Sequence, residues 1–307
     1  LIKKKQHYVS RYYLKAWADS KEQITTYRKF MKVFKSNLMG VAQERYFYEL
    51  QNLTSKESNF VKSVIDKSPI EKLRKINTNW LEYYILIFTI EDKIKDFDII
   101  NNKTIEEKIN IFKKNFEENY HSDIESIGLK YLDFIRAKNI NFYYDENSND
   151  RMRFLYYICV QYFRTNNIKQ RVINAFKDDQ INMNKIYPVM ANILATNTAY
   201  YLHLNKAMNL VLLINNTNLE FITGDQPVLN TYGVYKNDEL NSNELEFYYP
   251  ISPQLAILVS DKSIEDKIIN ISDENEVTKY NNFIVHSSYE QIFATNEKTI
   301  LLYEGKI

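Results

Sequence analysis

Apolar positions recur at helical spacing through the middle of this chain and at strand spacing toward its end. Residues 9–20 predict a short helix with Val9, Tyr13, Leu14 and Trp17 on its inner face. The β-branched and aromatic run 23–29 predicts a strand. Residues 41–50 fit either a turn or the start of a helix. A helix is expected over 55–68, with Ser55 as its cap and Ser58 standing where a capping box wants a glutamate. A long helix follows over 68–97, opened by Pro69 near its first turn. Two more are expected over 104–120 and 122–139, the second capped by Ser122 or Asp123. Residues 150–177 read as one long helix, apolar on much of its circumference and therefore central. Residues 184–207 continue the helical series.

The character then changes. Residues 208–217 and 219–231 predict two strands joined by an Asn-rich turn. Residues 244–262 predict two more, broken at Pro250–Pro253. A helix is expected over 277–295 and a closing strand over 299–304. The pattern predicts a mainly helical single α+β domain over residues 1–307, with a mostly antiparallel sheet. Its helical bulk is expected in 50–206 and its β-rich part in 207–307, joined by the N-terminal strand near 23–29.

Composition sharpens this reading at a few points. Glycine and proline are scarce, at 5 each, which favours long helices over a turn-rich all-β chain. Tyrosine is abundant at 25, so a single tyrosine carries little functional weight. The lone Cys159 excludes an intramolecular disulfide and lies in an apolar helical run, as a buried small hydrophobe would. No apolar run reaches membrane-spanning length, and no apolar stretch follows the N-terminal lysines, so a cytoplasmic protein is expected. Net charge is only +1, but it is unevenly placed. Residues 1–40 carry ten lysines and arginines against two acids, and residues 151–177 carry six against none. Residues 215–307 carry six lysines against fifteen acids. The asymmetry fits a basic binding face, or basic and acidic parts that cancel by packing together.

Three polar constellations stand out. His7 and Arg11 share a helical face if the helix starts early enough, and a His–Arg pair suits a phosphate or carboxylate. The bland alternative is an exposed basic helix start, or Arg11 paired with a core acid. Gln161, Arg164 and Thr165 fall within one turn of an otherwise apolar helix, where they must be paired or face a cavity. An internal salt bridge would explain Arg164 equally well. Residues 221–230 place Asp225 and Gln226 after Gly224 and before Pro227 at a strand end. A turn in which Asp225 bonds local backbone N–H groups is the alternative there.

Phosphate-loop, dinucleotide, zinc-protease and nucleophile-elbow motifs are absent. The four histidines, His7, His121, His203 and His286, show no metal-ligand spacing. Asp225 with Glu244 and Glu246 faintly resembles the acidic strands of metal-dependent nucleases, but Tyr248 and Glu246 occupy the places where a lysine is expected. No cofactor is called for, and a divalent ion at Asp225 is left open.

The run from Gln6 to Asp19 resembles the opening motif of the domain-of-unknown-function 4238 family, written His-Tyr-Val-Pro-Arg followed by an aromatic and Leu. ERYFYEL, QYFRT, FITGDQPV, YYPISPQLAI and YNNFIV are similar to its later landmarks, in the same order. Ser10 stands where that family usually has proline. The resemblance runs from residue 6 to about 290 and implies no known activity. It does group His7, Arg11, Gln161, Arg164, Thr165, Asp225, Gln226 and Asn282 on motif positions.

That grouping suggests one pocket for an anionic ligand: RNA, DNA or a nucleotide. Arg11 and Arg164 would hold phosphate, and His7 would act as general acid or base, oriented by Asp225. Gln161, Thr165, Gln226 and Asn282 would position the ligand. The expected activity is a nuclease-like phosphodiesterase in a bacterial defence or toxin-type role. A non-catalytic nucleic-acid or nucleotide-binding module is the alternative, as is a structural polar network with function elsewhere.

Overall fold

The computed structural model describes residues 2–47, 49–96, 103–176, 180–235, 244–262 and 266–307. The expected helix ends at Phe97 and Lys177, and Tyr48 of the ERYFYEL landmark, lie outside the described residues.

The chain opens with β1 (Lys5–His7) and the short helix α1 (Arg11–Leu14), then β2 (Gln23–Arg28), β3 (Phe34–Asn37) and β4 (Gln43–Arg45). The helical bulk is α2 (Ser55–Asp66), α3 (Glu71–Asp96), α4 (Lys103–Arg136), α5 (Asp150–Phe163), α6 (Asn166–Ala175) and α7 (Met183–Leu204). The last third holds β5 (Asn209–Asn215), β6 (Thr223–Gly224), β7 (Leu229–Asn230), β8 (Glu246–Ser252), β9 (Leu255–Ser260) and β10 (Ile268–Ile271). It closes with α8 (Glu274–Ser287), β11 (Gln291–Ala294) and α9 (Glu297–Leu301).

The strands form a five-stranded sheet in the order β10-β5-β9-β8-β7, a four-stranded sheet β3-β2-β11-β6 and a ribbon β1-β4. Every described pair is antiparallel except β10 with β5. This is the α+β domain expected from the pattern, and the strand at 23–29 does join the C-terminal strands.

The five-stranded sheet is buried on both faces, which is why its strands read as unbroken apolar runs. Alternation sends Leu210, Leu212, Ile257 and Val259 into the core shared with α5 and α7. Val211, Leu213, Ala256 and Leu258 go the other way, onto α8. The same core reaches back to the N-terminus. The Tyr13 hydroxyl donates to the Pro250 carbonyl at 2.7 Å and lies 2.7 Å from Thr223 Oγ1. Trp17 Nε1 donates to the Phe221 carbonyl at 2.8 Å. The aromatics of the opening motif thus anchor the chain start to the strands beside residues 221–230. Among the described residues, no helix is long and apolar enough to cross a membrane.

Several expectations are corrected, each for a local reason. The cap of α2 is Thr54, and its capping box is complete. Glu57 N donates to Thr54 Oγ1 at 3.2 Å, and Thr54 N donates to Glu57 Oε2 at 2.7 Å. Residues 104–120 and 122–139 belong to the single helix α4. Ser122 and Asp123 do not cap, because both lie inside α4, where the Ser122 hydroxyl bonds the carbonyl of Glu118 one turn back. The expected helix over 150–177 breaks at Arg164 and Thr165, where Thr165 turns extended and starts α6.

Residues 219–231 do not make a hairpin with β5. They cross between sheets, pairing β6 with β11 and β7 with β8. A Cβ at Gly224 would overlap Ser288 Oγ, so only glycine lets this crossover pack so closely. The strand β10 was not read from the sequence, nor was the end of α8 at Ser287 followed by β11. Residues 299–304 do not form a strand. Asn296 Oδ1 accepts from Thr299 N at 3.0 Å and nucleates α9.

Candidate functional site

The site begins with strand alternation in β1. Its pairing with β4 sets Lys5 opposite Arg45 and His7 opposite Gln43. Gln6, between them, points inward and is fully buried, with Nε2 donating to the Lys114 carbonyl at 2.6 Å. Lys5 and His7 therefore share the opposite face, toward a cleft. The chain then turns through Ser10 into α1, whose first residue, Arg11, lines the same cleft. His7 and Arg11 do meet at one site, but not as helical neighbours, because His7 lies in a strand.

The facing wall is α4. Glu118, His121, Ser122 and Glu125 recur at three- and four-residue spacing and present one polar stripe. Lys3, Tyr12 and Met39 complete a cleft of about 460 Å³. The Arg11 guanidinium reaches Met39 Sδ at 2.7 Å across its mouth.

The electrostatics follow from this crowding. Burial lowers the His7 ring to about 4, helped by Arg11 and Arg164, so the imidazole is neutral near pH 7. Burial raises Glu118 to about 7, against the pull of Arg164, Lys3 and Arg11. Its Oε2 is buried with no hydrogen-bond partner. Behind the wall, Glu117 is packed in the interior, with its Oε2 3.6 Å from Nε2 of the wall residue His121. Burial lifts Glu117 to about 8 and holds His121 well below its ordinary value. Asn192 Nδ2 donates to both Glu117 oxygens, at 3.2 and 3.3 Å.

Arg164 caps α5 beneath this cleft and is 2% exposed. Its Nε donates to the Tyr8 carbonyl at 2.9 Å and its Nη2 to Glu125 Oε1 at 2.6 Å. It therefore clamps β1 against α4 and α5, and its charge reaches His7 through space rather than by contact.

The other expected residues sit elsewhere. Asp225 does not line the cleft and cannot orient His7 as expected. Its carboxylate accepts from the backbone N–H groups of Tyr289, Glu290 and Gln291 at 2.7, 2.8 and 3.0 Å. These bonds tie the crossover to the loop between α8 and β11 and to the first residue of β11. Burial pushes Asp225 up to about 7, with the three N–H groups opposing. Thr165 donates to Gln226 Oε1, whose amide in turn donates to the Val228 carbonyl at 2.6 Å. Both are buried fasteners between the α5–α6 junction and the crossover. Gln161 is buried in α5 with Nε2 unpartnered, away from the cleft. Asn282 is half-buried and carries none of the local bonds. Its neighbour Asn281 does, accepting from Ile222 N at 2.9 Å and donating to the Glu220 carbonyl at 2.9 Å. Among the described residues, no group of three or more His, Cys, Asp or Glu side chains is arranged to hold a metal ion.

The raised carboxyls set a pH dependence of stability. Folded Glu117, Glu118 and Asp225 hold protons that the unfolded chain releases at lower pH. Their contribution therefore grows as pH falls from about 8. His7 and His121 act in the opposite sense, but only below about pH 6.5, where unfolded imidazoles take up protons that the folded rings refuse. The melting temperature should be higher near pH 6.5 than near pH 8.5. An equal or lower value would mean that these carboxyls are ionised in the fold.

The family described as "Protein of unknown function (DUF4238)" matches residues 5–298, nearly the whole chain. No curated protein and no solved structure matches.

Proposed function

We propose that this chain, which belongs to the DUF4238 family, cleaves phosphodiesters of a nucleic acid or nucleotide in the cleft between β1 and α4. The reading is carried by Glu118, whose raised carboxyl with an unpartnered oxygen faces a wall of cations and a neutral imidazole. The two shifts invert the usual order, so near pH 7 the imidazole is neutral and the carboxyl can still carry a proton, the charge states of a general base and a general acid.

The roles follow from charge state. Lys3, Lys5 and Arg11 attract the phosphate and offset the charge that builds on its oxygens. Neutral His7 accepts a proton from the attacking water or hydroxyl. Protonated Glu118 donates to the departing oxygen. Arg164 is a positioning residue, since it holds β1 and Glu125 in place. Asp225 has no part in the chemistry.

The test is turnover of RNA, single- and double-stranded DNA and free nucleotides, with and without divalent metal, beside Glu118→Gln. The glutamine keeps the shape and loses the proton. We expect kcat to fall by about 10²–10⁴-fold, the usual worth of one general acid, with KM little changed. The kcat/KM of the native protein should rise through about pH 4 and fall through about pH 7. Full activity in Glu118→Gln would remove the proposal. Salt-sensitive binding without turnover on any substrate would replace it with a binding module.

A further inference from the structure

A second cavity lies on the far side of α4, in the helical bulk, and shares no wall residue with the charged cleft. It has a volume of about 550 Å³ and opens to solvent between α3, α4, α5 and α7. That is within the size range of small-molecule sites. Its wall is built from Trp80, Tyr83, Phe116, Met152, Tyr156 and Thr196, and no charged side chain lines it.

Among the polar groups in this wall, the Tyr156 and Thr196 hydroxyls are engaged within the protein, and the Asn79 amide lines the cavity beside them. The Tyr156 hydroxyl is 2.6 Å from that of Tyr120, and Thr196 Oγ1 donates to the Asn192 carbonyl at 2.8 Å. The wall is mostly carbon, with the Asn79 amide as a neutral polar group and no charge to offer an ion or a sugar-phosphate. Rings converge on it from three helices, and Trp80 itself packs edge-on against Tyr120, centroids 4.9 Å apart. Tyr83 stands at the rim and is 63% exposed, a large aromatic whose surface is left uncovered. Aromatic walls favour ring ligands through stacked and edge contacts, and the Met152 thioether favours a ring edge.

We infer that this cavity binds a small, neutral molecule built on a planar aromatic ring system, with Tyr83 folding onto it from the rim. The occupant differs in kind from the anionic ligand of the cleft, and the inference does not depend on the proposed phosphodiester chemistry.

The protein offers a built-in reporter. It has two tryptophans, of which Trp17 is fully buried in the central core and Trp80 lines the cavity. The probe is N-phenyl-1-naphthylamine, neutral and weakly fluorescent in water. Titrated into the protein, it should show saturable emission at one site, excited through tryptophan, and indole should displace it. Tyr83→Ala is a surface change that leaves folding intact and should weaken binding by about tenfold. Thr196→Phe should fill the cavity and abolish the signal, and Trp80→Phe should keep binding but lose the energy transfer. Absence of saturable binding would overturn the inference, as would a signal unchanged by both Tyr83→Ala and Thr196→Phe. A signal that appears only as the chain self-associates would also overturn it, by assigning the cavity to a second copy.

Discussion

Replacing Arg164 by alanine is expected to destabilise the fold by about 3–5 kcal/mol, the cost of breaking a buried ion pair from one side. The Arg164 side chain is 1% exposed and that of Glu125 is 23% exposed, so the arginine is the more deeply committed partner. Its removal strands Glu125 and frees the Tyr8 carbonyl at the point where β1 meets the helices. Lysine should rescue little of the loss, because one ammonium cannot span the carbonyl and the carboxylate that the guanidinium bridges. Glu125→Gln should cost less, since a neutral amide still accepts from Nη2 and water reaches its side of the pair. Urea unfolding measures this directly. An Arg164→Ala midpoint close to the native one would show that the clamp is dispensable and that β1 is held by its strand pairing alone.

Asp225→Ala is expected to cost about 3 kcal/mol, the upper end for stranding a buried hydrogen-bonding group. Three N–H donors of the α8–β11 loop lose their acceptor together, and that of Gln291 is buried. Asp225→Asn should be intermediate, because its amide presents a donor where one of the three donors already points. Both variants should unfold at lower temperature while keeping, in the folded fraction, whatever activity the native protein has. The opposite pattern, an unchanged melting temperature with lost turnover, would return Asp225 to the chemistry.

Sequence alone reached the outline of this site but not its working wall. The opening motif does bring His7 and Arg11 to a cleft, and Arg164 lies beneath it. The geometry differs, because a three-residue strand sets the His7 side chain rather than a helical turn. Glu118, His121 and Glu125 were missed because Ser122 reads as a helix start, which split their stripe between two expected helices. In α4 Ser122 sits mid-helix, with its hydroxyl bonded to the carbonyl four residues back. Asp225, Thr165 and Gln226 were legible as a group but not in role. A polar residue in an apolar stretch signals that it must be satisfied, but partners 61 and 64 positions away, a side-chain amide for Thr165 and a backbone N–H for Asp225, are invisible to local pattern. The structural bonds at that turn of α8 belong to Asn281 and not to its neighbour Asn282, a distinction that a helical pattern does not carry because it depends on what each side chain touches.

The pairing of β2 with β11 has a consequence for the order of assembly. Thr25 Oγ1 bonds the Thr295 carbonyl across 270 residues, and β6 reaches β2 only through β11. During synthesis at ordinary rates, roughly 15–50 s separate the appearance of these two segments at the ribosome. Throughout that interval the second strand has no central neighbour, and its closure carries the loop-entropy cost of very distant contacts. The N-terminal segment that supplies Lys3, Lys5, His7 and Arg11 is thus made early with its partners on β4 and α4, whereas the strand β2 that follows it gains its central neighbour late. A nascent chain halted before residue 291 carries every residue of the cleft but lacks β11, the strand that joins β2 to the crossover.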